Sequence, residues 1–90
     1  MTTEAQAITI HLKYFASIRE AMDRSAESMT LRVLTVGALR DVLIAKGAPY
    51  AHALARGKLI CTALNQTMCD ESMSLLNNCE VAFFPPVTGG

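Results

Sequence analysis

The C-terminal strand of this chain runs directly into two prolines. Residues 80–84 predict a strand, but Pro85 and Pro86 have no backbone N–H to donate to a neighbouring strand. Sheet pairing should therefore end at Phe84, and residues 87–90 should leave the folded body as a flexible tail. At about 3.3 Å per residue, such a tail extends roughly 13 Å, which is enough to enter the cleft of another protein.

The tip of this tail offers one reactive group, the carboxylate of Gly90. Because Gly89 and Gly90 have no side chains, their backbone can enter a slot that is too narrow for any other residue. The competing interpretation is a frayed and inert chain end, which is common in proteins. The residues before the glycines, Phe-Phe-Pro-Pro-Val-Thr, are not typical of a flexible linker. We therefore expect the C-terminus to be the working part of the protein.

Composition limits the class of protein. A chain of 90 residues with 51% hydrophobic and 18% charged residues predicts one folded domain. Eight basic residues balance eight acidic residues without a dense basic cluster, so nucleic acid is not an expected partner. No apolar run approaches the length that spans a membrane, and the first residues lack the basic start of a signal peptide. These features predict a cytoplasmic protein without a membrane partner.

The cysteines and histidines form no recognisable metal-binding or catalytic pattern. Cys61, Cys69 and Cys79 are separated by eight and ten residues, and no C-x-x-C pair occurs. We expect them to be reduced and to act as small apolar residues, without a metal or a bound cofactor. His11 and His52 are isolated in sequence, and no local pattern supports a Cys–His nucleophilic pair. A pair formed only in space stays open.

Alternation of apolar and polar residues predicts the first half of the fold. Residues 8–14 predict a strand whose Tyr14 faces the core, and by the same parity Phe15 faces away from it. Residues 1–7 are polar and small, and we interpret them as a flexible lead-in. Ser17 and Glu20 fit a capping box, so a short helix of about two turns should follow the strand and end before Asp23. Residues 29–33 alternate again and predict a second strand beside the first.

The second half contains the main helix and the remaining strands. Thr35 is a suitable N-cap for a helix whose apolar stripe ends before a stop at Gly47. Residues 59–64 predict a buried strand, residues 65–67 predict a turn, and Met68 begins a short return strand or an extended loop. The pattern therefore predicts an α+β domain in which one mixed sheet packs on one main helix.

A sheet of this kind has one covered face and one outer face. Consecutive strand residues point to opposite faces, so if Phe83 faces the helix, Phe84 faces outward on the same side as Phe15. Large exposed apolar patches on small soluble domains usually mark partner sites. The aromatic pair Phe15 and Phe84 therefore predicts a docking surface.

Several motifs resemble one known family. They are Tyr14-Phe15-Ala16-Ser17-Ile18-Arg19-Glu20, Thr35-Val36-x-x-Leu39, Gly57-Lys58-Leu59, Asn65-Gln66-Thr67 and Glu80-Val81-Ala82-Phe83-Phe84-Pro85-Pro86-Val87-Thr88-Gly89-Gly90. From about Ile8 to the last residue, they closely resemble the molybdopterin synthase small subunits, a family of ubiquitin-like sulfur carriers. The resemblance implies a ubiquitin-like β-grasp domain over residues 8–86, followed by the tail of residues 87–90.

The resemblance also implies a chemical role. In that family, an E1-like adenylating enzyme uses ATP and magnesium to adenylate the terminal carboxylate, and sulfur then replaces AMP to leave a thiocarboxylate. The large subunit of the synthase accepts the tail and uses this sulfur to build the dithiolene of molybdopterin from cyclic pyranopterin monophosphate. Two small subunits flank a dimer of the large one. The chain would thus be a carrier that binds no cofactor and has no internal catalytic residue.

Individual positions follow from the same resemblance. Gly90 would bear the sulfur and Gly89 would keep the tail slim, while a partner would bind the preceding Pro85, Pro86, Val87 and Thr88. Phe15, Met68 and Phe84 match the apolar docking patch of the family, and Arg19 matches an arginine near that patch. Asn78-Cys79 stands where the family usually has Gly-Asp. Because Asn tolerates the left-handed backbone, we expect that turn to survive at a small cost in stability.

Three alternative functions stay open. The first is a sulfur carrier for thiamine synthesis or tRNA thiolation, which also ends in Gly-Gly; the Phe-Phe-Pro-Pro-Val-Thr lead favours molybdopterin synthesis over it. The second is a ubiquitin-like protein modifier whose terminus forms isopeptide bonds with lysines. The third is a binding module with an inert tail.

Overall fold

Five strands form one mixed sheet in the computed structural model, which describes residues 6–86. The elements in chain order are β1 Ile8–Tyr14, α1 Ala16–Met22, β2 Ala26–Leu31, α2 Val36–Ala45, α3 Tyr50–Ala53, β3 Cys61–Leu64, β4 Thr67–Cys69 and β5 Cys79–Phe84. The strand order is β2-β1-β5-β3-β4, in which β1 and β5 are parallel and the other pairs are antiparallel. This is the predicted α+β fold with a mixed sheet on a main helix.

Alternate residues of the two central strands form the sheet side of the core. Leu12 pairs with Val81 and Tyr14 pairs with Phe83, and these four side chains are almost completely buried. The rings of Tyr14 and Phe83 stack with centroids 6.4 Å apart. The other side of the core comes from the helices, chiefly from Ile18, Met22, Val36, Leu39 and Leu43. The predicted inward face of β1 is confirmed.

The main helix α2 begins and ends as its sequence predicts. Thr35 is extended at φ −133° and ψ 164°, and its hydroxyl oxygen accepts a hydrogen bond from the Ala38 N–H at 3.1 Å. A side-chain cap of this kind satisfies one of the free N–H groups in the first turn of a helix. Beyond the other end, Gly47 adopts φ +88°, a left-handed conformation that glycine adopts without steric cost.

The capping box predicted for α1 is wrong. The helix begins at Ala16 with Phe15 as its N-cap and no side-chain cap bond, so Ser17 lies inside the first turn. Sheet pairing explains the difference, because the Phe15 N–H donates to the Phe83 carbonyl at 3.2 Å and holds Phe15 extended. The helix can start immediately afterwards. Its end before Asp23 agrees with the predicted length of about two turns.

The strand predicted over residues 59–64 is shorter in the structure. β3 begins at Cys61, and Leu59 is 83% exposed instead of buried. The neighbouring strand supplies the reason, because Cys61 pairs with Phe84 and the next residue of the neighbour is Pro85. Proline has no N–H to extend the ladder, so the two residues before Cys61 have no strand to pair with.

Two predicted turns use residues in the left-handed conformation. Asn65 and Gln66 have φ of 49° and 69° and join β3 to β4 as a two-residue hairpin turn. Asn78 has φ 66°, and its N–H donates to the Thr9 carbonyl at 2.7 Å. Asparagine thus takes the backbone conformation for which the resembling family uses glycine. The expected cost in stability stays a prediction.

Arg40 is a buried charge that the apolar pattern of α2 did not predict. The residue is 4% exposed, and its Nε donates to the Leu54 carbonyl at 2.8 Å. Its Nη2 donates to the Ala55 and Lys58 carbonyls at 2.7 and 3.1 Å, and its Nη1 donates to the Glu71 carboxylate at 2.7 Å. One guanidinium thus attaches the segment after α3, as well as the segment before β5, to the main helix.

Replacing Arg40 by Met should destabilise the fold strongly. The substitution removes the donor to three carbonyls and one of the two arginine donors to the Glu71 carboxylate, so we expect a loss of about 3–5 kcal/mol in the free energy of unfolding. Urea denaturation followed by circular dichroism measures it. Arg56→Met is the matched control, because Arg56 also contacts Glu71 but from an exposed position, where a pair is worth about 0–1 kcal/mol. Equal losses in the two variants would contradict this account.

Glu27 of β2 joins the sheet to α3. Its carboxylate accepts hydrogen bonds from the Tyr14 and Tyr50 hydroxyls at 2.7 and 2.8 Å, and from Nη1 of Arg24 at 2.8 Å. Partial burial works to raise the pKa of Glu27, but the three donated bonds outweigh it and hold the pKa below its ordinary value. Burial, with the bond to Glu27, raises the pKa of Tyr14. The cluster therefore stabilises the fold with an ionised carboxylate.

The contribution of Glu27 to stability should disappear in acid. Because the folded pKa is depressed, this contribution is fully present above the unfolded pKa, about 4.3, and is lost as the pH falls through the folded pKa. We expect Glu27→Gln to lower the free energy of unfolding at pH 6–7, with a difference from the wild type that shrinks below about pH 4. Urea denaturation across this range measures it. Glu20→Gln on α1 is the control, and the same pH-dependent difference there would contradict the prediction.

Candidate functional site

The outer face of the sheet carries an apolar surface at one end. Directly paired residues point to the same side of a sheet, and Phe84 pairs with Cys61 while Ala82 pairs with Ala63. Ala63 pairs in turn with Met68 on the edge strand β4. Phe15 continues β1 in extended conformation on the same side. We call this surface the outer apolar face, and its members are Phe15, Cys61, Ala63, Met68, Ala82 and Phe84.

The exposure of these side chains differs. Phe15 is 48% exposed and Met68 is 63% exposed, whereas Phe84 is half-buried between its neighbours. The parity argument therefore gives the correct side of the sheet for Phe84 and Phe15. The two aromatic rings are not equally accessible, however. The docking role assigned to Phe15, Met68 and Phe84 stays a prediction at this point.

Polar contacts limit the outer apolar face to the end of the sheet where β5 stops. Further along the same side, Nζ of Lys13 lies 3.5 Å from the Glu80 carboxylate. Nδ1 of His11 and Oγ of Ser28 lie 2.7 Å apart, within hydrogen-bonding distance. Each of these groups has a polar partner on a neighbouring strand. The apolar surface is consequently a distinct patch and does not cover the whole face.

The root of the tail lies at the edge of the same patch. β5 ends at Phe84, as the prolines predict, and the half-buried Pro85 and Pro86 follow it outside the sheet. The predicted tail residues Val87, Thr88, Gly89 and Gly90 lie outside the described residues, as do the first five residues of the predicted lead-in.

Arg19 lies one helical turn after Phe15 on α1 and is exposed. Its side chain borders a shallow polar hollow together with Glu20, Asp23, Arg24 and Ser25. The position agrees with the predicted location near Phe15. The immediate surroundings are polar, so Arg19 belongs to the charged border of the outer apolar face. Its role in docking stays a prediction.

Three members of the outer apolar face were not predicted as site residues. They are the smaller residues between the large side chains, namely Cys61, Ala63 and Ala82. Counting alternate residues from Phe84 places them on the outer face of the sheet once the pairing of β3 with β5 is known. Cys79 is buried as a small apolar core residue, in agreement with the prediction, whereas Cys61 is half-buried on the outer face. Sequence spacing could not separate the two environments.

A metal-binding cluster and a membrane-spanning helix are two further kinds of feature that would bear on function. Within residues 6–86, no cluster of three or more His, Cys, Asp or Glu side chains could hold a metal ion. The helices described there are all too short, or too polar, to cross a membrane.

Solved structures give the class to which this fold belongs. SAMP1 from Haloferax volcanii superposes with a TM-score of 0.70 at 23% identity, covering 91% of this chain and 99% of that one. The complex of subunits 1 and 2 of molybdopterin-converting factor from Helicobacter pylori contains a similar chain, with a TM-score of 0.60 at 21% identity, covering 92% of this chain and 100% of that one. At these identities the likeness concerns the fold. The domain is a ubiquitin-like β-grasp.

Sequence comparison then gives the family. Residues 12–90 match the ThiS family. The molybdopterin synthase sulfur carrier subunit of Escherichia coli is 42% identical over 81 residues, and that of Haemophilus influenzae is 40% identical over 81 residues. Each alignment covers 90% of this chain and 99% of the relative. The chain belongs to the ThiS family. Within that family, it is similar to molybdopterin synthase sulfur carrier subunits.

Proposed function

We propose that this protein is the sulfur carrier subunit of a molybdopterin synthase. Similarity to two curated carriers over 99% of their length supports the proposal, and the ThiS family match reaches Gly90. The structural observation that carries it is that the outer apolar face lies next to the root of the tail. Phe84 belongs to this face, and the root of the tail follows Phe84 directly. A partner that binds this face meets the tail at the same time.

Gly90 is the chemical centre of the proposal. A carboxylate is a poor electrophile, so its oxygen must first become part of a good leaving group. An E1-like enzyme with ATP and magnesium supplies that step by forming an acyl adenylate, and sulfur then displaces AMP to leave the thiocarboxylate. Because sulfur is a strong nucleophile, the thiocarboxylate can next attack cyclic pyranopterin monophosphate in the large subunit. Hydrolysis of the acyl–sulfur bond then leaves one sulfur on the pterin and returns Gly90 to a carboxylate, so two charged carriers supply the two sulfurs of the dithiolene.

The folded body acts as the handle in this scheme. Catalysis by the partner requires the reacting group to be held within a narrow range of positions, and the body provides the contacts that hold it. Phe15, Met68 and Phe84 form those contacts, with Arg19 on the charged border. Gly89 lets the tail enter a narrow channel of the partner. Val87 and Thr88, which follow Pro85 and Pro86, contact the walls of that channel. The assembly is two small and two large subunits in the cytoplasm.

Deleting Gly90 should abolish sulfur transfer without unfolding the protein. The described core ends before the tail, so circular dichroism and the urea midpoint should match the wild type. In the intact mass of protein from cells that contain the activating enzyme, the wild type should carry a form heavier by about 16 Da, since sulfur replaces oxygen on the activated terminal acyl group. The deletion variant should lack this form.

A protein from cells without the activating enzyme is the control for that mass shift, and fragmentation assigns the shift to the last residue. Equal activity of the deletion variant and the wild type in a reconstituted synthase would contradict the proposal. Covalent ladders on denaturing gels of cell extract would instead indicate a protein modifier.

Truncating Phe84 should weaken docking on the large subunit. Removing an interface anchor typically costs about 1–4 kcal/mol in binding, so Phe84→Ala should raise Kd by about one to three orders of magnitude. Isothermal titration calorimetry measures it. Leu76→Ala is the matched control, because Leu76 is 73% exposed but precedes β5 at the opposite end of that strand. Unchanged binding for Phe84→Ala, or equal losses in both variants, would count against the outer apolar face as the docking surface.

A further inference from the structure

A hollow of about 220 Å³ lies beside the root of the tail. Pro85 forms part of its wall, α1 contributes Ile18 and Ala21, α3 contributes His52, and residues 58–60 close the remaining side. The hollow is therefore on the helical side of the molecule, whereas the outer apolar face is on the opposite side of the sheet. Neither the docking surface nor the sulfur chemistry described above uses it.

The lining of this hollow combines an apolar base with a positive rim. Ile18 is 4% exposed at the base, and Leu59 is 83% exposed at the rim. Among the described residues that line the hollow, the ionisable side chains are those of His52 and Lys58, and both are exposed. No Asp or Glu is among these lining residues. The backbone carbonyl of Lys58 accepts a hydrogen bond from Arg40, so the buried guanidinium fixes this part of the rim. Such a surface fits a short segment with one apolar side chain and a negative charge.

The chain's own C-terminus has these properties. Residues 87–90 contain one apolar side chain, that of Val87, and end in the Gly90 carboxylate. The segment starts two residues after Pro85, which itself lines the hollow. Four residues reach roughly 13 Å, so the carboxylate can come within reach of the Lys58 ammonium.

We propose that in the free protein residues 87–90 bind in this hollow, with Val87 against Leu59 and Ile60 and the Gly90 carboxylate beside Lys58. The contact is self-inhibitory, because a partner can bind the tail only in the fraction of molecules whose tail has left the hollow. The apparent affinity of a partner for the tail is reduced by that fraction. An exposed ion pair is weak and screened by salt, so the bound tail exchanges readily with the released one.

Nuclear magnetic resonance on the full chain tests this contact directly. Removing residues 87–90 should shift the backbone amide signals of Ala53, Lys58, Leu59 and Ile60. The amide signals of the distant edge strand β2 should shift less. The Lys58→Glu substitution should reproduce these shifts in the full chain and should also move the signal of a ¹³C-labelled Gly90 carboxylate. Lys46→Glu is the matched control, since Lys46 is an exposed lysine at the end of α2 with the same change of charge.

Each outcome decides the proposal. Unchanged amide signals around the hollow after truncation would overturn it. Equal effects of the two lysine substitutions on the carboxylate signal would overturn the contact with Lys58. Shifts that grow with protein concentration would assign the hollow to the tail of a second copy and would also overturn it. Because these measurements use the protein alone, a negative result would leave the proposed sulfur transfer untouched.

Discussion

Parallel hydrogen bonding between β1 and β5 places the last strand of the chain in the centre of the sheet, beside the first. Two parallel strands cannot be joined by a tight turn, so the connecting chain must cross over one face of the sheet. The helices between them cover that face, with Ile18 and Leu39 in the core beneath the central strands. Among residues 6–86, no helix packs on the other face of the sheet. The existence of an outer face is thus a consequence of this one pairing.

The same pairing brings the outer apolar face next to Pro85, where the chain leaves the sheet. Parallel strands end at the same edge of a sheet, so Phe15 follows β1 where Phe84 ends β5, and the Phe15 N–H donates to the Phe83 carbonyl. Pro85 then stops the ladder at this edge. It also sets the start of β3, which cannot begin before Cys61. One edge of the molecule therefore holds an aromatic pair, an exposed Leu59 and the start of the tail.

Local patterns predicted much of this arrangement. The alternation of β1, the Thr35 cap, the turn at Asn65 and the stop at Pro85 depend on neighbouring residues, and all agree with the structure. The features that sequence could not predict depend on contacts far along the chain. The start of α1 is set by the bond to Phe83, the burial of Arg40 by carbonyls after α3, and the position of Cys61 by the register with Phe84. In the candidate site, parity predicted the side of each aromatic residue but not the small residues between them.

The ionisable groups with shifted pKa values in the described residues serve the fold. Arg56 and Arg40 donate hydrogen bonds to Glu71 and lower the pKa of its carboxylate, and Glu27 is similarly held by two tyrosines and Arg24. The β-grasp fold does not by itself specify a reaction, because function depends on the site that a fold carries. An activated terminal acyl group can react with sulfur to give a thiocarboxylate or with a lysine amine to give an isopeptide. Under the proposed function, the nucleophile that the bound partner presents would decide between these two reactions, and the outer apolar face would contribute by selecting that partner.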